Sequence, residues 1–356
     1  MKVLKRGAAA LLVASLAAAL AGCSSGASPK EAMMDAMANN QKATGMTYKG
    51  SMTFTDLVLP PAAADAAGAA NSAMTSTMLA FLKGTVINVH GSVQKSPMRA
   101  ELTMDVTLGS GDVKLNASIP MIITEDKTWI KVPQIPGLPL PETIAGKFVE
   151  IDMKKLEQEQ GAADVAASPQ VGQDLLKALV DSLDEKTYFS EPEAADVKGL
   201  ASDHKVDQLV RFSINDVEAA WTAIMEKAAP QIIDILLKNE AYMKMFKLSK
   251  ADLEVAKKEL EGKEDGKVKA AVEEMKKTIK INQLDVTGGI TDDYLTYEGV
   301  DLNVESTDSA QGMKLGIHFD LSLDDINKEI KFEYELPKDA VPVEKIQEML
   351  GLPSGS

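Results

Sequence analysis

Along much of this chain apolar and polar residues change places at every second position. Tyr48, Gly50, Met52 and Phe54 alternate with Thr47, Lys49, Ser51 and Thr53, the period of a strand with one face buried and one in water. Ala100, Leu102, Met104, Val106 and Leu108 repeat the pattern against Glu101, Thr103, Asp105 and Thr107. Gly109-Ser110-Gly111-Asp112 then turns the chain, and Val113, Leu115, Ala117, Ile119 and Met121 bring it back. Further strands are expected at 127–132, 147–153 and about 204–212, and a C-terminal set at 279–287, 294–304, 313–323 and 328–336. A one-residue slip would turn every apolar side chain outward, so the period assigns the faces. Met104, Leu115, Ile317 and Phe332 are expected toward a covering layer, and Thr103, Lys114, His318 and Lys331 toward water.

The remaining segments have helical spacing. Ser28-Pro29-Lys30-Glu31 reads as a capped helix start running to about Gln41. Ser168-Pro169 opens a helix with Leu175, Leu176, Leu179, Val180 and Leu183 on one stripe. A helical block at 215–278 begins with Asn215 as its expected cap and carries Val217, Trp221, Ile224, Met225 and Ala228 on its stripe. Pro230 kinks or restarts it, Ser249 with Asp252 opens another helix, and Val268, Ala271, Val272, Met275 and Ile279 line the last. A terminal helix follows Val341-Pro342. Residues 62–80 are low in complexity, and four prolines within 133–141 impose an extended loop.

About eight to ten strands with one apolar face, together with five or six amphipathic helices, bury each other as an α+β layer. Long antiparallel strands favour a curved sheet, an unclosed barrel, with the helices on its concave face. Residues 28–351 are expected to form one such domain, with 215–278 as a helical insert.

The N-terminus is of another kind. Lys2, Lys5 and Arg6 precede an apolar run ending at Leu20-Ala21-Gly22-Cys23. The run is short for a membrane span, which needs about 20 residues, and residues 1–22 have the tripartite layout of a secretory signal. Residues 23–27 read as a small-residue tether. Cleavage before Cys23 leaves 334 of the 356 residues, and loss of the three cations moves the net charge from −15 to −18. So acidic a surface repels nucleic acid and anionic headgroups, whose binding needs basic patches.

Catalytic chemistry is not legible. Cys23 is the single cysteine, and His90, His204 and His318 stand in separate strand patterns without a ligand at metal spacing. HExxH, P-loop and GxGxxG patterns are absent, and Gly22-Cys23-Ser24-Ser25-Gly26, which spells GxSxG, falls at the end of the signal and in the tether, not at a strand-to-helix elbow. Asp292-Asp293 and Asp324-Asp325 lack the spacing of a calcium loop and read as turns. No enzyme, metal or cofactor is expected. The 18 methionines fill irregular core gaps or line a flexible apolar wall, and Trp221 is either core or the wall of a cavity.

Leu20-Ala21-Gly22-Cys23 resembles the bacterial lipobox, which implies a lipid such as palmitate on Cys23. The helix from Ser28, the stretch Gly45-Met46-Thr47-Tyr48-Lys49-Gly50, Trp129 to Pro133 and Gly146 to Asp152 extend the likeness. In element order the chain resembles the LolA/LolB and LppX-like exported lipoproteins. That resemblance implies an unclosed barrel with a helical lid over an apolar cavity and a lipid or other apolar ligand within it. It also implies attachment to the extracytoplasmic face of the cell membrane through Cys23, or to an outer membrane, which Ser24 would permit. Candidate cavity residues are Met104, Leu115, Trp221, Ile224, Met225, Ile317 and Phe332. The alternative is an envelope structural or protein-binding lipoprotein whose own side chains fill the core.

Overall fold

The computed structural model describes residues 27–58, 82–109, 114–134, 141, 143–155, 168–245, 248–261, 279–307 and 312–350. Helix α1 (Pro29–Lys42) leads into β1 (Gly45–Val58), β2 (Val86–Gln94), β3 (Arg99–Leu108), β4 (Leu115–Thr124), β5 (Lys127–Lys131) and β6 (Phe148–Asp152). Then come α2 (Ser168–Ser182), α3 (Glu185–Tyr188), β7 (Phe189–Ser190) and β8 (Gln208–Ser213). Helices α4 (Val217–Ala223), α5 (Ala229–Leu237), α6 (Glu240–Met245) and α7 (Lys250–Glu261) follow. The chain returns through β9 (Ile279–Thr291), β10 (Tyr294–Ser306), β11 (Lys314–Asp324) and β12 (Val341–Pro342) to α8 (Val343–Leu350).

The strands form one sheet in the order β12-β6-β5-β4-β3-β2-β1-β11-β10-β9-β8-β7. All pairs are antiparallel except β12 with β6. With β7 and β12 at its edges, the sheet does not close on itself. The fold is α+β with an unclosed sheet. The N-terminal and C-terminal strand sets meet where β1 pairs with β11, placing Tyr48 opposite Leu323 and Phe54 opposite Ile317.

Local chemistry accounts for the starts and turns. Ser28 Oγ accepts from Glu31 N–H while the Glu31 carboxylate accepts from Ser28 N–H, closing a capping box on α1. Asp292 and Asp293, at φ 50° and 65°, form the two-residue turn between β9 and β10, a conformation that short polar side chains tolerate. The cap of α4 is Asp216, one residue beyond the expected Asn215, and its carboxylate accepts from Ala219 N–H at 3.0 Å. Pro230 would set its ring against the Glu226 carbonyl in a regular helix. The chain instead widens to a π-helical turn at Ile224–Ala228 and restarts as α5.

One face of the sheet is apolar and the other polar, and both are covered in part. On the apolar face α1, the end of α2, α3 and α4 pack over β7 to β10, burying Met33, Ala36, Leu183, Tyr188, Val210, Ala220, Ile290 and Leu295. Helices α5, α6 and α7 share a separate cluster of Ile233, Leu236, Tyr242 and Leu253, joined by Leu175 of α2. On the polar face the segment 191–207 closes over β8 to β11, where Val197 and Leu209 bury Tyr297.

The second cover of the polar face corrects an expectation. Residues 328–336 are not a strand; they run as an irregular strap beneath which Glu101 and Thr103 are each 3% exposed. Glu101 accepts from Glu333 N–H at 2.7 Å and from Tyr334 N–H at 3.3 Å. The backbone donors of the strap therefore go to a carboxylate rather than to a neighbouring strand. Phe332 stacks on the Arg99 guanidinium, 4.2 Å from Cζ to ring centre. Thr103 and His318, expected to face water, are both buried here, each under a strap of irregular chain.

Candidate apolar ligand site

The antiparallel register assembles the apolar face row by row. Val286, Val300, Phe319, Met52, Ile87, Val106 and Ala117 are successive cross-strand partners from β9 to β4. Beside them Leu284, Leu302, Ile317 and Phe54 form a second row, continued on the far strands by the pair Leu108 and Leu115. Over the closed end of the sheet Val210 is 0% and Leu295 2% exposed. In these two rows, by contrast, no side chain is fully buried, and Leu115 is 38% exposed. Apolar surface left in water forgoes about 25 cal/mol per Å², so an apolar molecule laid against these rows would recover what their partial exposure costs.

Six of the seven residues expected to line a cavity lie on this side of the molecule. Met104 sits between Val89 and Ile119, and Ile317 between Phe54 and Leu302; both are half-buried. Leu115 opens β4 at the rim of the second row. Ile224, in the π-helical turn, packs against the cluster over β7 to β10 and so belongs to the core. Trp221 of α4 and Met225 beside it are half-buried, and the buried Trp221 Nε1 has no hydrogen-bond acceptor among the described residues. Phe332 is the exception: it stands on the strap across the polar face, stacked on Arg99, and cannot line the apolar side.

One residue escaped the sequence reading. Glu298 is in phase with Val300, Leu302 and Val304 on β10, so the register places its carboxyl on the apolar face, opposite Leu321 and Gly288. Burial pushes that carboxyl above the ordinary glutamate range. The signal was present in the strand itself, as a charge at an apolar position of the two-residue period. Nearby, Tyr48 lies over Gly91 and donates to the Glu101 carbonyl at 2.7 Å. A Cβ at Gly91 would come within 2.7 Å of the Tyr48 hydroxyl.

At the open end of the face, a cleft of about 500 Å³ lies between the start of α4 and the start of β9. Asp216, Val217, Ile279 and Ile281 line it, and none of the seven expected residues does. Asp301, His318 and Asp320 gather on the polar face. His318 Nδ1 is 2.8 Å from Asp301 Oδ1, and its buried Nε2 has no hydrogen-bond partner among the described residues, with Asp320 Oδ1 3.6 Å away. Among the described residues no group of three or more His, Cys, Asp or Glu is placed to hold a metal ion. Cys23, the insert at 62–80, most of the proline-rich loop and the helix expected around Val268 to Met275 lie outside the described residues.

No protein-family model matches the chain, and no curated protein is significantly similar to it. A search of solved structures finds a likeness to "LprF from Mycobacterium bovis", at 11% identity and a TM-score of 0.33, covering 86% of this chain and 96% of that one. Identity and TM-score are both too low for the likeness to bear on function.

Proposed function

We propose that this protein is an exported, lipid-anchored lipoprotein that binds a lipid or other apolar molecule on the apolar face of its sheet, without catalysing a reaction. The observation that carries the binding reading is the half-buried double row from Val300 and Leu302 to Met52 and Phe54. A face sealed along its whole length would bury these rows as fully as it buries Val210 and Leu295. An alkyl chain laid along them gains about 0.8 kcal/mol for each CH₂ taken from water, so affinity needs no elaborate polar motif.

Anchoring is supported by the sequence alone, through the basic start, the short apolar run and Leu20-Ala21-Gly22-Cys23. Among the described residues no helix is long and apolar enough to cross a membrane. A lipid on Cys23 would then be the attachment, at the outer face of the cell membrane or in an outer membrane. Titration of the protein with Nile red, a neutral apolar dye, tests the binding reading: saturable one-to-one binding supports it. Failure to bind, with an intact fold, favours an envelope structural or protein-binding lipoprotein.

A further inference from the structure

We propose that Glu298 is the polar anchor of this apolar face, and that it selects long-chain amphiphiles with a hydrogen-bond-donating headgroup, hydroxylated or amino, over anionic ones. The inference rests on the reading of that face as a ligand site. Among the described strand residues, Glu298 is the one charged side chain that the register places there. Among the described residues no hydrogen bond or ion pair partners its half-buried carboxyl.

Its position suits an anchor. On one side, opposite Gly288, the sheet is closed: a Cβ at Gly288 would meet Leu295 Cδ1 at 2.7 Å and Met33 Cε at 3.4 Å. On the other side begin the half-buried rows, with Val300 next on the same strand and Phe319 opposite Val300. Glu298 thus stands where the packed core ends and the open apolar surface starts. An alkyl chain lying on Val300, Phe319 and Met52 can bring its polar end to this carboxyl.

A carboxyl, ionised or protonated, accepts hydrogen bonds from hydroxyl and ammonium groups. A phosphate or carboxylate headgroup would meet like charge, or a carboxyl forced to stay protonated. An unpaired acid on an apolar face is costly to keep. A ligand that supplies the missing donor relieves that cost on binding, which is the physical basis of the selectivity.

The test is displacement of Nile red from the full chain near pH 7 by monolauroylglycerol, dodecylamine and laurate, each below its micelle concentration. In the wild type the glycerol ester or the amine should displace dye at concentrations about tenfold or more below laurate, the span of one hydrogen bond to a charged group. Glu298→Leu should erase that order while dye binding persists. Glu298→Gln should keep a preference for the hydroxylated head and lose one for the amine, separating hydrogen bonding from charge pairing. The same order of competitors in wild type and Glu298→Leu would overturn the assignment of Glu298 and leave the apolar site standing. A wild type that binds no Nile red would overturn both.

Discussion

Ile317 and Phe54 are direct cross-strand partners at the junction of the two strand sets, and both are only half-buried. In a filled β-layer such a central pair would be sealed by the opposite layer. Here the sealed part of the face lies over β7 to β10 instead, and the pair stands in the open rows beside it. Ile317→Asp should therefore cost only about 1–3 kcal/mol, within the ordinary range for a single change, and leave the fold intact. Nile red binding should fall by more than tenfold, because the charge lies under the bound molecule. Thermal melts paired with dye titration check this; unchanged dye affinity in a folded variant would place the ligand elsewhere.

Phe332 separates the two faces. It contributes a cation–π contact and half-buried area to the strap on the polar side. Phe332→Ala should lower stability by about 1–2 kcal/mol and leave dye affinity unchanged, the reverse of the Ile317 pattern. Urea unfolding and dye titration on one preparation report both quantities.

His318 is 5% exposed and hydrogen-bonded to Asp301. Were it turned to water, its replacement would be almost silent. In this setting His318→Leu should destabilise by about 1–3 kcal/mol, through the acceptor left unpaired at Asp301. Equilibrium denaturation measures it, and a change below about 0.5 kcal/mol, the level usual for surface positions, would contradict the covered polar face.

Glu298 couples stability to pH. Burial raises its folded pKa above the ordinary value of 4.5, so the native state holds the proton more tightly than the unfolded chain does. Stability is then fully present below 4.5 and falls as pH rises through the folded value. Glu298→Gln lacks this fall. The variant and the wild type should melt alike at acid pH, and the variant should melt higher toward neutrality. Parallel melting curves over roughly pH 4 to 8 would count against a desolvated Glu298 carboxyl.

Much of this architecture was legible because β-strand period and helix capping are local. The capping box at Ser28, the alternation of Met104 and Ile317 with polar neighbours, and the turn at Asp292-Asp293 all follow from residues a few positions apart. The strap at 328–336 was not legible as such. Ile330, Phe332 and Tyr334 alternate with Lys331 and Glu333 as a strand would, yet the N–H groups of Glu333 and Tyr334 are taken by Glu101, which is distant in sequence. No two-residue period reports where backbone donors go. The burial of His318 and Thr103 failed for the same reason, since alternation names two faces and cannot say that irregular chain covers the polar one. Glu298 was legible and passed over, as a charge in phase with Val300 and Leu302.

The central claim is that the open apolar rows hold a ligand, and native mass spectrometry of the protein purified without detergent tests it most directly. The expected spectrum shows a one-to-one adduct of lipid mass that disappears in the folded Ile317→Asp variant. A wild-type spectrum at the mass of the protein alone, from a preparation that also fails to bind Nile red, would contradict the claim.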